Sequence, residues 1–502
     1  MQTFETFTEP VQKEHVADAD ITTAIELLFL TKRGVTSHLL DVITNEGIVE
    51  LTGFTDNLLS RHRAEEIALA VRGVRGVVNE LLIRTPDVPD AELLRDVEQA
   101  LADDATTADY NVACTVAEGV VSPAGTVQSW VEKQLVLRVL QSVRGVRRIV
   151  ADHLVLRGGP LLNSDEEITT QIEELLDWNF RVNSALVEVR TTDRVVHLSG
   201  TVGTAAERDG VVATAYQAGA TRVDARDLFV AYWALGRQLR RDKHTPRTDE
   251  DIVKAVRDTF RYDPRVLSFE PLVQSRDGVV TLAGTVSNLR AKQEAERDAR
   301  NVVGVWDVHN LLKVRPRQPQ PDDDVRRRIV GALGRSPYVG HHEFQVEVRN
   351  GKAWLAGEVH DHFEQEHAAD VAAGVGGVLE VDSRVVVPGG PAHSGPPAPG
   401  GAAPRPAGGP VSDHALAGRI RLRYFWSASL YNQEVEVQVE NGRATLTGTV
   451  DTWQEREQAA TDAHEAGARD VNNHLHVATA PLARSRMAMP ATAHQKDMVI
   501  SL

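Results

Sequence analysis

One ten-residue pattern is written six times along this chain, and that repetition constrains its fold more than anything else in it. The clearest copies are "DGVVTLAGTV" (277–286), "NGRATLTGTV" (441–450), "NGKAWLAGEV" (350–359) and "DRVVHLSGTV" (193–202). Looser ones are "EGVVSPAGTV" (118–127) and "EGIVELTGFT" (46–55). Their glycines, Gly53, Gly125, Gly200, Gly284, Gly357 and Gly448, lie 72 to 91 residues apart, longer than solenoid periods and suited to small separate domains. A second glycine follows each after 19 or 20 residues: Gly73, Gly145, Gly219, Gly304, Gly377 and Gly467.

Between the two glycines lies a stretch such as "NLRAKQEAERDAR", with Ala and Leu at three- and four-residue steps, which predicts an amphipathic helix. An apolar strand follows, as in "VHNLLKV" or "VNELLI". Ahead of each decamer another amphipathic segment starts on an acidic residue, as in "TDEDIVKAVRDTF" and "SDEEITTQIEELL". One unit therefore reads helix, strand, strand, helix, strand. The first two strands make a hairpin whose Asn-Gly and Asp-Gly turns suit type I′ geometry. Within the decamer Val280 and Leu282 alternate with Thr281, so one sheet face is expected to lie under two helices and the other to stay open. The fold class expected is α+β: six tandem αββαβ modules, each a three-stranded mixed sheet with two helices on one face. The decamer glycine is expected to let a following helix or backbone approach closely. So thin a core is marginal alone, and the open faces and sheet edges are the expected packing surfaces between neighbours.

This layout, with "NG-x-(V/A)-x-L-x-G-x-V" followed by "GV-x-x-V-x-N-x-L", resembles the BON domain, named for bacterial osmotic-stress and nodulation proteins. The first and fourth copies carry the pattern best. The second puts Pro123 where the inward Leu belongs, which marks a weak or edge strand. The third and sixth replace "GV" by Gly219-Ala220 and Gly467-Ala468. The expected modules are 18–85, 90–157, 165–230, 249–315, 321–388 and 412–479. A basic linker (231–248), a Pro/Gly-rich disordered tether (389–411) and a flexible tail (480–502) separate or follow them. The resemblance implies a non-enzymatic module that binds phospholipid surfaces, cations or proteins, often under stress.

A net charge of −16 disfavours nucleic-acid binding, which needs clustered Lys and Arg, and adsorption to an anionic membrane except through a local basic patch. The chain shows neither a signal peptide nor 18 consecutive apolar residues, so a cytoplasmic protein is expected, with peripheral membrane attachment as the variant. The lone cysteine, Cys114 in "NVACTV", reads as a buried structural thiol.

No nucleotide-binding loop or nucleophile elbow is present, and no polar constellation repeats among the units, so no enzyme is expected. The acidic helix starts, Asp249-Glu250-Asp251 and Asp322-Asp323-Asp324, read as helix caps rather than cation sites. Histidines His341, His342, His360 and His362 of the fifth unit fall at one end of its hairpin, with Asp361 or Glu364 nearby, and form a candidate Zn²⁺ or Ni²⁺ site. Trp354, outward on the fifth sheet, is an interface candidate. So are Tyr232 and Trp233 with Arg237, Arg240 and Arg241, which could lie on anionic headgroups or form a solvated connector. The function expected is a multivalent binding scaffold contacting partner proteins, its own kind or a phospholipid surface. The alternative is a cation- or metal-responsive protein. No cofactor is expected beyond such a divalent or monovalent ion.

Overall fold

The structure, a computed structural model, describes residues 16–31, 34–35, 39–157, 164–179, 182–235, 247–267, 269–316, 318–387 and 412–478. The tether 389–411, the tail 480–502 and most of the basic linker lie outside these residues.

Each unit opens with a 14-residue helix starting on aspartate: Asp18–Thr31, Asp90–Asp103, Asp165–Trp178, Asp249–Tyr262, Asp322–Arg335 and Asp413–Trp426. Apolar residues three, seven and eleven positions after the aspartate form its inner stripe, such as Ile168, Ile172 and Leu176. The second helices are Leu58–Leu69, Trp130–Gln141, Ala205–Gln217, Leu289–Arg300, His362–Gly374 and Trp453–Glu465. They bury short residues, such as Ala295 and Ala299, and so lie close to the sheet. In every unit the decamer strand is central, antiparallel to the strand before it and parallel to the one after. Val280 and Leu282 are both fully buried while Thr281 faces outward, and Val49/Leu51, Val196/Leu198, Ala353/Leu355 and Ala444/Leu446 repeat the pair. Each such Leu contributes roughly 1.5–3 kcal/mol by burial.

The initial aspartates do more than favour a helix dipole. In all six units this side chain accepts two backbone hydrogen bonds from the hairpin turn, 28 and 29 residues ahead. In the fourth unit Asp249 Oδ2 accepts from Asp277 N at 2.8 Å and Oδ1 from Gly278 N at 3.0 Å. The same pair of bonds joins Asp18, Asp90, Asp165, Asp322 and Asp413 to their turns. Capping in the third, fourth and sixth units falls to the preceding Ser164, Thr248 or Ser412. Both central turn residues have positive φ in every unit, including Glu46-Gly47, Glu118-Gly119 and Asp193-Arg194. The aspartate staple holds I′ geometry even where the sequence lacks Asn-Gly or Asp-Gly.

Of the two neighbours expected at the decamer glycine, a helix or backbone, it is backbone that approaches, closely in every unit but the fourth. A Cβ on Gly53 (φ 109°) would meet the carbonyl oxygen of Leu39 at 2.1 Å, and one on Gly448 that of Glu434 at 1.9 Å. The close approach comes from the start of the first hairpin strand. Pro123 is no edge marker: it is buried in the central strand, opposite Cys114. The third strand of that unit is broken into Arg148–Ile149 and Leu154–Leu156, and neither piece pairs with residue 123, so the missing N–H leaves that ladder intact.

The units pack through their helices, not their open sheet faces. Second helices meet start to end around two triangles. In the first, Leu58 of unit one packs on the core of unit two, Trp130 of unit two stacks on Tyr216 of unit three at 5.5 Å, and Leu69 of unit one packs on unit three. In the second, Arg290 of unit four pairs with Asp370 of unit five at 3.8 Å, and His362 of unit five lies 5.2 Å from His464 of unit six. Arg300 of unit four then pairs with Glu457 of unit six at 3.1 Å. Three cross-links join the triangles where helices end, at the antiparallel bridges Val71–Ser427 (units one and six), Asp104–Val375 (two and five) and Asn179–Val302 (three and four). This is the contact pattern of a dimer of trimers, written in one chain.

Candidate functional site

The fifth unit supplies the densest set of ligand-type side chains. His341 and His342 lie in the turn before the strand Phe344–Arg349, and His360 lies in the bend before the helix His362–Gly374. Glu364 is the third residue of that helix. One donor atom from each of His341, His342, His360 and Glu364 falls within 4.8 Å of all the others. His342 Nε2 stands 3.0 Å from Glu364 Oε2, which also accepts from the backbone N of His360 at 2.7 Å. His341 Nε2 lies 3.9 Å from Glu364 Oε1. Partial burial, then the neighbouring His342, pushes the pKa of His341 below its usual value.

His362 is not part of this group. As the first helical residue it points away, with Nδ1 2.9 Å from Gln365 Oε1 and its ring against His464 of the sixth unit. Glu364 takes its place in the cluster. Asp361, the other acid expected nearby, is the helix N-cap and accepts from Glu364 N at 3.0 Å.

A cavity of about 330 Å³ lies where units one, two, four and five meet. Arg138, Arg265, Arg290, Arg297 and Arg335 line it with Asp103, Asp104, Glu294, Asp370 and His367. Most of these charges are paired there: Arg335 with Asp103 at 2.6 Å, Arg265 with Glu294 at 3.0 Å, and Arg297 with Glu294 at 3.3 Å. The first pair joins units two and five, so the cavity's charges hold units together. Sequence reading missed this centre because each residue looks like an ordinary helix-surface charge until the fold brings four units together. Nearby, desolvation and then the neighbouring Asp263 raise the pKa of Asp298 well above its usual value.

Trp354 does stand on the open face of the fifth sheet. It lies opposite Glu347 and Asp382, with Lys352 Nζ 5.5 Å from its ring. Tyr232 and Trp233 fall in a one-turn 3₁₀ helix, and Trp233 is half exposed. Arg237, Arg240 and Arg241 lie outside the described residues. Cys114 is buried, and burial followed by Glu98 pushes its thiol up to about 11, away from reactivity at neutral pH. Among the described residues no helix is long and apolar enough to cross a membrane.

No curated protein matches the chain. Solved structures that resemble it include the C-terminal domain of CdsD, a structural protein of the Type III secretion system of Chlamydia trachomatis. One such structure is 16% identical with a TM-score of 0.12, covering 46% of this chain and 99% of that one. A second CdsD structure is 17% identical with a TM-score of 0.11, covering 45% and 91%. The BON domain, a binding module, matches at residues 17–85, 89–158, 164–227, 248–316, 321–389 and 412–479. The chain, with its stapled αββαβ units repeated six times, belongs to the BON domain family.

Proposed function

We propose that this protein is a non-enzymatic scaffold that holds six different sheet faces outward on one closed body, each face a docking surface for a partner protein. The observation that carries this reading is the use of helices for packing between units, which leaves the sheets open. The faces differ in chemistry. The sixth is acidic, with Glu434, Glu436 and Glu440 exposed, whereas the first displays Ile43 and Val78. The fifth offers Trp354 beside Lys352. Six copies of one surface would gain avidity for a single repetitive ligand; six dissimilar ones suit the gathering of several partners. In this reading the protein works in the cytoplasm, or peripherally on a membrane, under stress. The high acidity favours proteins over phospholipid headgroups as partners.

The test is capture from lysate with the whole chain and with single-face variants, Trp354→Ala with Glu347→Ala and Ile43→Ser with Val78→Ser. Each double variant is expected to lose its own subset of partners and to keep the rest. Loss of the same partners from both variants, or of none from either, overturns the reading.

A further inference from the structure

The glutamate of the fifth unit's histidine cluster occupies a position that other units also fill, and there its duty is plain. Glu132, Glu207 and Glu455 are third residues of their helices, and each accepts a backbone N–H just ahead of its helix: Gln128 at 2.6 Å, Gly203 at 2.7 Å and Thr452 at 2.8 Å. Glu364 does the same through Oε2 with His360 N. Among the described residues only the fifth unit surrounds this glutamate with imidazoles, and they come from two separate segments: residues 341–342 before the hairpin, and residue 360 after it. Three ring centroids lie 4.0, 4.7 and 5.7 Å apart. Packing alone gives no reason to crowd three such groups on a carboxylate.

We propose that His341, His342, His360 and Glu364 form a binding site for one Zn²⁺ ion. Three imidazole nitrogens and one carboxylate oxygen make a four-ligand set suited to this borderline, tetrahedral cation, and too nitrogen-rich for Ca²⁺ or Mg²⁺. Ligand atoms on a tetrahedral Zn²⁺ with bonds of about 2.0–2.1 Å stand roughly 3.3 Å apart. The present separations, up to 4.8 Å, therefore need a small contraction. The two most exposed members can make it, since the side chains of His341 and His360 are 51% and 72% accessible. The less mobile pair is already in place: His342 and Glu364 are 10% and 13% accessible and held 3.0 Å apart, and the backbone bond to Oε2 fixes the carboxylate while Oε1 faces His341.

Occupancy ties the turn before the first strand to the start of the second helix. That helix start carries Phe363, whose ring lies 4.2 Å from the Arg63 guanidinium of unit one, and His362, against His464 of unit six. Zinc at this point braces the junction of three units, and so regulates the rigidity of the scaffold rather than any single face.

The experiment uses the full, tag-free chain, stripped with a chelator and dialysed, then titrated calorimetrically with ZnCl₂ alone. One tight equivalent per chain is expected, with a melting temperature that rises with Zn²⁺ and is unmoved by Mg²⁺ or Ca²⁺. Co²⁺ in its place is expected to give the intense visible absorption of a four-coordinate site. The double variant His341→Ala/His360→Ala removes the two exposed ligands with little risk to folding, which circular dichroism checks. It is expected to weaken Zn²⁺ binding by more than about 100-fold, since even losses outside the ligand shell cost roughly 10- to 100-fold. His197→Ala, an exposed imidazole of the third unit, is expected to change nothing. Absence of a tight equivalent in the unaltered chain, or its survival in the double variant, overturns the site.

Discussion

Arg335 Nη2 stands 2.6 Å from Asp103 Oδ2, and the two side chains, 12% and 4% accessible, belong to units 232 residues apart in sequence. Each is the last residue of its unit's first helix. Beside them Gly376 N donates to Asp103 O at 2.8 Å, and Arg144 N to Arg335 O at 2.8 Å, so main chain and side chain lock units two and five together from both ends. Removing one partner of a buried pair strands the other charge at a cost of about 3–5 kcal/mol. Asp103→Ala is therefore expected to destabilise the whole body by that order, read as a lower midpoint in urea. Asp103→Ala with Arg335→Met, which leaves no stranded charge at that pair, is expected to recover most of the loss.

The staple from helix start to hairpin turn makes a more local prediction. In the sixth unit Asp413 accepts from Asn441 N at 2.7 Å and Gly442 N at 2.8 Å. Asp413→Ala leaves both donors to water, at an expected cost of roughly 1.5–3 kcal/mol for hydrogen bonds to a charged group. Amide hydrogen exchange is the measurement: protection should fall in residues 434–450 and stay unchanged in units two and three. Asp413→Asn, which keeps one acceptor oxygen, should lose less.

Much of this was legible in the sequence. The decamer fixes the central strand and its inward pair, because the two-residue period of a strand leaves no other way to bury Val280 and Leu282 together. The staple was only half legible: the aspartates were visible as helix starts, but their second duty depends on a constant 28-residue distance that matters only once the hairpin folds back. The histidine cluster was visible for a similar reason, as both segments flank one hairpin. His362 was misplaced because the next turn of chain is helix, and neighbouring helical residues point about 100° apart. The packing of unit on unit was least legible, since it rests on ordinary charges and small residues whose partners lie hundreds of positions away.

His367 gives a pH dependence with a definite sign. It lines the central cavity, with Nε2 3.1 Å from Ser336 Oγ and its ring edge-on to Tyr338. Burial pushes its pKa down to about 4, against the smaller upward pull of Asp370. The folded chain thus refuses a proton that the unfolded chain, titrating near 6.5, accepts. Stability is full above about pH 6.5 and falls as pH drops towards 4, by up to roughly 3 kcal/mol less whatever water in the cavity returns. His367→Gln retains a partner for Ser336 and should flatten that part of the curve. The check is urea unfolding of both proteins between pH 4.5 and 7, where the variant is expected to lose less stability towards acid than the unaltered chain.

The 19- and 20-residue glycine spacings separate two kinds of helix end. Where the spacing is 19, in units three and six, the second helix closes directly on Gly219 or Gly467 with paired backbone bonds: Gly219 N to Tyr216 O and Ala220 N to Ala215 O in one, Gly467 N to His464 O and Ala468 N to Ala463 O in the other. Those two units cross-link through their first helices, which both end in tryptophan, Trp178 and Trp426, packed on units four and one, and through the ends of their second helices, where Gln217 donates to Tyr262 O at 3.4 Å and Glu465 pairs with Arg63 at 2.9 Å. Where the spacing is 20, the residue after the extra one donates its N–H across the triangles, as Arg72, Arg144, Val303 and Gly376 do, and in unit one Val71 also bridges Ser427. Deleting Arg72 converts unit one to the shorter spacing. It should abolish the bonds from Arg72 N to Trp426 O and from Ala428 N to Ala70 O, both 2.8 Å, and unseat Trp426. What then holds unit six is the half-buried pair of Arg63 with Glu465 at 2.9 Å, with exposed contacts such as Arg300 with Glu457 worth about 0–1 kcal/mol. Small-angle scattering should show a larger radius of gyration for the deletion, and Trp426→Ala should move it the same way. A radius unchanged in both would mean that the bridge is incidental and that the triangles, with the Arg63–Glu465 pair, hold the sixth unit in place.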